Sequence, residues 1–416
     1  MNKARPWAWV PTLYFFEGIP YFLVNVVSVT LFKRLGMDNA SLAALTSLLY
    51  LPWVIKPLWS PLVDVFKTKR WWILVMQAAL PVCFAAMAFS IPQSVGRPVG
   101  AFVPALVLFY IGAMLSSTHD IAADGFYMIA LDKRDQSLFV GIRSTFYRIS
   151  SVFGQGVIVV VAGLLETRLG DVPRAWTVTL LASSALLALI AFWHFFALPR
   201  PAADEAAGGF VGSFSSFFKK PGIGLALAFM LLFRLPEAFS VKMLTPFMLD
   251  PAEAGGLGLT TAQSGLVYGT VGVIALTIGG ILGGIFAAKV GLRKAFWPMA
   301  LSLALPCAVY LYMAVTQPSQ LWVVYLCVAF DQFGYGFGFT AYMLYLMHFS
   351  EGSYKTSHYA ICTAFMALSM MIPGFFAGWL QQILGYTGFF VLVMLCCAAT
   401  VAVTAVLAPR IKDNKL

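Results

Sequence analysis

The sequence predicts an all-α integral membrane protein with twelve transmembrane helices in two six-helix pseudo-repeats. Composition supports this fold class, because 60% of the 416 residues are hydrophobic and only 11% are charged, whereas a soluble domain carries roughly 25% charged residues. The apolar runs are the second support. They are long enough to cross a bilayer as helices of about 20 residues each, and they lack the alternation of a β-barrel strand.

The apolar runs divide the chain into twelve predicted spans. The longest polar interval inside the chain, 199–221, is predicted to be a cytoplasmic linker between an N-terminal bundle, 1–198, and a C-terminal bundle, 222–416. The spans are predicted at 9–31, 41–65, 71–91, 99–121, 138–165, 176–198, 223–248, 263–288, 295–315, 321–348, 357–384 and 387–408.

The distribution of basic residues predicts the orientation. With both termini in the cytoplasm, the inner segments hold most of the loop lysines and arginines, which is the bias expected of cytoplasmic loops. The outer loops hold only Lys33, Arg34, Arg97, Arg168 and Arg174. We therefore expect a multi-pass protein of the bacterial inner membrane, in contact with the lipid bilayer. The net charge of +10 reflects this topology and does not indicate nucleic-acid binding.

A repeat supports the division into two halves. Residues 162–170 read AGLLETRLG and residues 377–385 read AGWLQQILG, and Tyr127-Met128 matches Tyr342-Met343 at the same offset. Two homologous halves of six helices are typical of the major facilitator superfamily, whose substrate site lies near the midplane between the halves.

Acidic side chains and one histidine lie within the predicted spans of the first half. Glu17 precedes Pro20 by one turn, and His119, Asp120 and Asp124 lie at the end of the fourth span. Ionisable groups at this depth are costly in hydrocarbon and mark ion or substrate paths. These four residues are the candidates for proton coupling, with Asp120 and Glu17 preferred. A lone histidine in an apolar segment is also consistent with a hydrogen-bonded core residue.

Asp120 and Asp124 lie four residues apart and therefore share one helix face. Their proximity and burial favour protonation of at least one of the two carboxyl groups. The alternative for Asp124 is a fixed interhelical bridge to Arg143 or Arg148 on the fifth span.

Basic residues within the spans indicate the ligand. Arg143 and Arg148 on the fifth span, and Arg234 and Lys242 on the seventh, suit an anion, because a guanidinium binds carboxylate or phosphate in a bidentate manner. Muropeptides carry peptide and lactyl carboxylates, and acetyl-CoA carries phosphates. Glu237 lies three residues after Arg234, so the alternative is that these two charges neutralise each other.

The tenth predicted span alternates aromatic residues with glycine over residues 330–339. Sugar rings stack on aromatic faces, so Tyr335 is a candidate substrate-binding residue. Asp331 and Gln332 begin this stretch, and they are candidates because their polar side chains could reach the cavity. The alternative is close helix packing through small residues, which is also the interpretation for the glycines of the eighth span, including Gly279, Gly283 and Gly284.

The loop after the second span, 60–70, reads SPLVDVFKTKR and resembles the inner loop of the major facilitator superfamily. The resemblance implies a conformational latch in which Asp64 pairs with Lys67, Lys69 or Arg70. The corresponding loop after the eighth span keeps Arg293-Lys294 but has no acidic residue.

Several segments together resemble the AmpG-like muropeptide permeases and the wider group that joins them to acetyl-CoA transporters. Two departures are the end of the chain after twelve spans and the presence of Glu17, where that family commonly has a small residue. The resemblance implies transport of a small solute through the membrane. The matching segments are 17–20, 56–64, 118–125, 147–148, 234–240 and 374–385.

No enzyme motif is present: the sequence has no phosphate-binding loop, nucleophile elbow or metal-spaced cysteine and histidine set. We therefore expect a secondary active importer without cofactor or metal, a monomer whose partners are a small-molecule substrate and protons. Rocker-switch alternating access would carry anhydromuropeptides or related amino-sugar cell-wall fragments. The alternatives are another medium-sized anion, such as an iron-siderophore or a CoA thioester, and a membrane signalling or scaffold protein without transport.

Overall fold

Helices make up nearly the whole of the structure. The computed structural model describes residues 6–200, 210–352 and 354–411, and every regular element within these residues is a helix. The description excludes the side chains of Asp64, Val65, Lys133, Ser137, Phe210, Val211, Ser213 and Thr356.

The helices of residues 6–200 begin at polar capping residues in four places. Asp38, Thr68, Asp132 and Asp171 each accept a hydrogen bond from a backbone N–H in the first turn of the helix that follows, as N-cap side chains do. The helices are α1 (Val10–Phe22), α2 (Ser28–Arg34), α3 (Asn39–Leu48), α4 (Leu51–Val65), α5 (Lys69–Ser90), α6 (Val103–Ala130), α7 (Lys133–Val152), α8 (Val159–Leu169) and α9 (Val172–Ala197).

The remaining helices follow the segment 201–209. The π-helical turn Gly265–Gly272 joins α13 to α14, in the same way that Leu23–Val27 joins α1 to α2 and Phe153–Ile158 joins α7 to α8. The helices are α10 (Phe210–Phe218), α11 (Ile223–Leu232), α12 (Leu235–Leu249), α13 (Thr261–Ser264), α14 (Val273–Val290), α15 (Leu292–Ala304), α16 (Ala308–Thr316), α17 (Leu321–Ser350) and α18 (Lys355–Leu407).

The chain forms two compact units. The first comprises Met1–Met37 and Ile55–Gly208, and the second comprises Asp38–Val54 and Gly209–Leu416. Helix α3 therefore belongs to the second unit, although the sequence assigns it to the N-terminal bundle 1–198. In each unit, the core consists of apolar and aromatic side chains between helices, such as Trp9 and Phe126 in the first and Phe229 and Tyr342 in the second.

Among the residues that the structure describes, ten helical segments are long and apolar enough to cross a membrane. The last of them, Ser357–Arg410, has 54 residues, and a continuous helix of this length would measure about 80 Å, well beyond a bilayer thickness. The helix is interrupted at Gly385, where φ is 66° and ψ is 174°. This break lies in the short interval that the sequence leaves between its last two predicted spans.

Apart from the spans that contain π-helical turns, three predicted spans are interrupted in the described residues, and each of these breaks lies next to a proline. The second span divides into α3 and α4 just before Pro52, the seventh divides into α11 and α12 just before Pro236, and the ninth contains a 3-10 turn at Pro306. Proline has no backbone N–H group to donate in the interior of a helix, but it is accommodated in the first turn, where that group has no partner within the helix. The span predictions did not include these breaks.

Helices α14 and α17 pack closely through glycines. A Cβ atom built on Gly279 would lie 2.1 Å from the carbonyl oxygen of Phe333, and one on Gly336 would lie 2.0 Å from that of Leu276. The interpretation of these glycines as packing residues is confirmed. It is wrong for Gly284, where a Cβ atom would meet nothing within 4 Å.

Candidate functional site

Three carboxylates from two helices converge in the first unit. Glu17 lies on α1, and Asp120 and Asp124 lie one turn apart on α6. One carboxylate oxygen of each residue lies within 4.8 Å of those of the other two. The structure therefore brings together three of the four residues that the sequence predicts for proton coupling. We refer to these three residues as the carboxylate cluster.

Two cations from other helices pair with the carboxylate cluster. Arg143 Nη2, on α7, lies 2.7 Å from Asp124 Oδ1, which confirms the interhelical bridge considered for Asp124. Lys56, on α4, donates a hydrogen bond to Asp120 Oδ2. The sequence analysis did not predict this role of Lys56. A lysine within an apolar span is costly in lipid, and this position could have indicated a buried acidic partner.

The guanidinium group of Arg143 also lies over two aromatic rings. Its Cζ atom lies 4.5 Å from the ring centroid of Tyr14 and 5.4 Å from that of Tyr127. Cations are attracted to the faces of aromatic rings at such distances. The bridge to Asp124 is thus part of a packed interface between α1, α6 and α7.

Glu17 forms no ion pair with a described cation. It is 7% exposed, and its Oε2 atom has no hydrogen-bond partner among the described residues. Three carboxylates face two cations, so the cluster carries one negative charge in excess when all five groups are ionised. Because uncompensated buried charge is costly, one proton bound here would restore neutrality. A divalent metal ion would leave one positive charge in excess instead.

Local sequence explains how Glu17 enters this cluster. A Cβ atom built on Gly18 would lie 1.8 Å from Ser150 Oγ, so glycine permits the close approach of α1 to α7. Pro20 lies inside α1, and the chain continues as the π-helical turn Leu23–Val27. Such turns occur frequently at functional sites.

His119 lies beside the cluster in a buried hydrogen-bond chain. Its Nε2 atom is 3.0 Å from Gln77 Nε2, while Gln77 Oε1 is 2.9 Å from His194 Nδ1. His194 Nε2 is 2.8 Å from Thr12 Oγ1. This chain joins α1, α5, α6 and α9. His119 is therefore a hydrogen-bonded core residue in this structure, and Gln77 and His194 were not predicted.

In the second unit, Arg234 and Glu237 neutralise each other. Arg234 precedes α12, with Pro236 in the first turn of that helix. Its Nε and Nη2 atoms lie 2.7 and 2.9 Å from the two carboxylate oxygens of Glu237, a bidentate pair. Arg234 also donates to the hydroxyl of Tyr335 at 3.0 Å and lies over the ring of Phe339. The neutralising interpretation is confirmed for this pair.

Lys242 lies on the same helix without an acidic partner. It is 6% exposed, its ammonium group donates to Thr46 Oγ1 at 3.0 Å, and it lies 5.7 Å from the ring centroid of Tyr50. No described carboxylate forms an ion pair with it. Lys242 is thus a buried amino group without an acidic partner among the described residues.

Asp331 lies in a separate polar group on α17. Its Oδ2 atom accepts hydrogen bonds from the hydroxyl of Tyr310 at 2.5 Å and from Gln332 Nε2 at 3.0 Å. Asp331 and Gln332 are both buried. Tyr310, on α16, was not predicted, because its partner lies 21 residues away on another helix.

The predicted latch is only partly described. The side chain of Asp64 lies outside the described residues. Lys69 donates to the carbonyl of Val63 at 3.0 Å. Arg70 donates to the carbonyls of Phe195 and Leu198 at the end of α9, at 2.9 and 3.2 Å, which is a favourable position for a cation. Lys67 is exposed, with φ at 64°.

Arg148 does not join the carboxylate cluster. It is half-buried, and none of the ion pairs among the described residues includes it. The structure therefore distinguishes Arg143 from Arg148: Arg143 is the ion-pair partner of Asp124, and Arg148 forms no ion pair among the described residues.

Long apolar helices with buried charge clusters define a multi-pass helical membrane protein of the transporter class. The model of the Major Facilitator Superfamily matches residues 12–357. The chain belongs to this family. Sequence comparison also bears out the resemblance to AmpG-like permeases. The anhydromuropeptide permease of Escherichia coli is 26% identical over 420 residues, which cover 97% of this chain and 80% of that protein.

Solved transporters share the fold. A bacterial homologue of the human lysosomal transporter Spinster superposes with a TM-score of 0.75 at 14% identity, covering 99% of this chain and 98% of that one. The nucleoside transporter NupG superposes with a TM-score of 0.71 at 15% identity, covering 99% and 100%. These relatives are transporters, not enzymes.

Proposed function

We propose that this chain is a proton-coupled importer of anhydromuropeptides or related amino-sugar cell-wall fragments in the bacterial inner membrane. The observation that carries the proposal is the excess negative charge of the carboxylate cluster, with Glu17 buried beside two compensated acids. The similarity to an anhydromuropeptide permease over 97% of the chain supports the substrate class. Family membership supports secondary transport.

The proposal includes twelve spans with both termini in the cytoplasm, a linker at 199–221 and alternating access. Two features support the count of twelve. Helix α17 has 30 residues and is long enough to span a bilayer, and the break at Gly385 divides Ser357–Arg410 into two lengths that each suit one crossing.

In the proposed coupling, the proton resides on the carboxylate cluster when the solute is bound. Lys56 and Arg143 hold Asp120 and Asp124 as carboxylates, so Glu17 is the group that gains the proton. Protonation removes the excess charge and therefore stabilises the state in which the cluster is shielded from water. Asp120, which lies close to Glu17, is the second position for the proton when its bond to Lys56 opens.

The test is uptake of labelled N-acetylglucosaminyl-anhydromuramyl tripeptide into liposomes that contain the purified chain. Uptake is measured without a gradient, with an inward proton gradient and with an inward sodium gradient. The variants are Glu17→Gln and Asp120→Asn. Glu166→Gln is the matched control, because Glu166 is another buried acid of the first unit, bonded to Arg34 and Trp176 away from the cluster.

We expect proton-driven uptake by the native chain and by Glu166→Gln, and loss of gradient dependence in Glu17→Gln. Folded protein that takes up no tripeptide above empty liposomes would reject the substrate and direct attention to siderophores or CoA thioesters. Accumulation by Glu17→Gln at the native level would reject the role of Glu17. Uptake that follows only the sodium gradient would reject the proton as the coupling ion.

A further inference from the structure

The second unit contains a buried lysine whose amino group has no acidic partner in the described structure. Lys242 is 6% exposed and forms one hydrogen bond, to Thr46 Oγ1. A lysine ammonium has three N–H donors, so two of them remain available. The nearby cation Arg234 shows the contrast, because Glu237 engages it through both carboxylate oxygens.

A hydroxyl without a hydrogen-bond partner among the described residues lies near the side chain of Lys242. Ser47 is fully buried on α3, and its Oγ atom has no hydrogen-bond partner among the described residues. A buried polar group left without a hydrogen-bond partner is destabilising, so a ligand atom that bonds to it would be favoured. Thr46, the neighbour of Ser47, is the residue that holds Lys242.

Gly374 on α18 shows that the two groups lie at one place. A Cβ atom built on Gly374 would lie 2.6 Å from Ser47 Oγ and 3.1 Å from Lys242 Cε. The absence of a side chain at residue 374 therefore leaves the serine hydroxyl and the lysine side chain next to each other. Three helices, α3, α12 and α18, contribute to this arrangement.

We propose that Lys242 and Ser47 form a subsite for one carboxylate group of the transported solute. This inference rests on the proposed function and specifies the part of the solute that is recognised. The two free N–H groups of Lys242 and the hydroxyl of Ser47 donate to the carboxylate oxygens. The aromatic ring of Tyr50 borders the ammonium group at 5.7 Å.

Charge balance favours a carboxylate over a phosphate. One ammonium group supplies one positive charge, which a carboxylate neutralises. A phosphate monoester carries about −1.5 to −2 at neutral pH and would leave negative charge uncompensated, because Arg234 is already neutralised by Glu237. A carboxylate also needs only the few donors that this subsite provides.

The test compares binding of two ligands to the full chain in lipid nanodiscs by calorimetry. One ligand is N-acetylglucosaminyl-anhydromuramyl tripeptide, and the other is the same compound with its peptide carboxyls converted to amides. The variants are Lys242→Gln and Ser47→Ala. Lys289→Gln is the control, because Lys289 lies at the end of α14 and takes no part in the subsite.

We expect Lys242→Gln to weaken binding of the acid at least tenfold, and Ser47→Ala to weaken it about threefold to tenfold. The amide should bind the native chain about as weakly as the acid binds Lys242→Gln, with no further loss in that variant. Native affinity of Lys242→Gln for the acid, or an equal loss for acid and amide, would overturn the subsite.

A failure of the proposed substrate is distinguishable from a failure of the subsite. If neither compound binds the native chain, thermal stabilisation by lactate, citrate and glycerol phosphate is measured with the same variants. Stabilisation by carboxylates that is lost in Lys242→Gln supports the subsite with another solute. Stabilisation by glycerol phosphate alone overturns the carboxylate assignment, and stabilisation by none of them overturns the subsite.

Discussion

Gly378 lies directly against the backbone carbonyl of Asn39. A Cβ atom built on Gly378 would lie 1.8 Å from that oxygen, so α18 and α3 approach as closely as two backbones can. The side chain of Asn39 completes the contact, because it donates to Gln381 Oε1 at 2.8 Å and lies 3.1 Å from Asp250 Oδ2. Helix α3 is therefore held in the second unit by both backbone packing and hydrogen bonds.

Replacing Gly378 with valine should separate these helices. We expect a loss of several degrees in the thermal unfolding midpoint, because the side chain would overlap the carbonyl of Asn39 and overpacking costs about 1–3 kcal/mol. The control is Gly284→Ala, since a Cβ atom there meets nothing within 4 Å and alanine favours helix. Equal midpoints for the two variants would show that the close approach is not required.

The bond between Lys56 and Asp120 should appear as a strong coupling in a double-mutant cycle. Lys56→Met leaves Asp120 as an unpaired, partly buried carboxylate, which we expect to cost up to about 3 kcal/mol. Lys56→Met combined with Asp120→Asn should recover most of this loss, as measured by denaturation in detergent. Losses that simply add would show that the two side chains do not interact.

Gln77 should stabilise the first unit without affecting coupling. Gln77→Leu removes the partner of both His119 and His194, so we expect destabilisation of about 1–3 kcal/mol. Proton-dependent uptake per folded molecule should persist in Gln77→Leu and in His119→Asn. If folded His119→Asn lost the dependence of uptake on the proton gradient, this prediction would be wrong and His119 would have a role in proton coupling.

Asp38 should make a stabilising contribution that acid removes. Burial opposes ionisation of this residue, but hydrogen bonds from Ser41 and Gln382 lower the pKa of its carboxyl below the usual value. A lowered folded-state pKa stabilises the fold above the usual aspartate pKa of 3.8, and this stability is lost as pH falls through the folded-state pKa.

The measurement is the difference in unfolding midpoint between the native chain and Asp38→Asn across pH. Asparagine also caps helices but does not titrate. The native chain should therefore be more stable near neutrality, and its advantage should shrink below about pH 4. A difference that stays constant from neutral to acidic pH would contradict this contribution of Asp38.

The sequence predicted those site features that depend on local spacing. Arg234 and Glu237 lie three residues apart, so one helical turn brings them together, and Asp120 and Asp124 share one helix face for the same reason. The helical class followed from composition, because long apolar segments satisfy their backbone hydrogen bonds only as helices in lipid.

The features that sequence reasoning missed depend on which helices are neighbours. Lys56 and Asp120 are 64 residues apart, and Gln77 and His194 are 117 apart. Helix periodicity predicts on which face of its own helix a residue lies, but it does not predict which other helix packs against that face. The proline-associated breaks before α4 and α12 were also missed, because both neighbouring segments remain apolar.

The single excess charge of the carboxylate cluster has an electrical consequence for the proposed transport cycle. A proton that moves together with one carboxylate group transfers no net charge, so that step would be insensitive to membrane voltage. The unloaded carrier would return with one negative charge on the cluster and one positive charge on the ammonium group of Lys242, and these two charges also sum to zero. Each elementary charge that crosses the full field is worth about 2.3 kcal/mol per 100 mV, so a cycle in which neither step moves net charge gains no energy of this kind from the membrane potential and would be driven by the pH difference and the solute gradient.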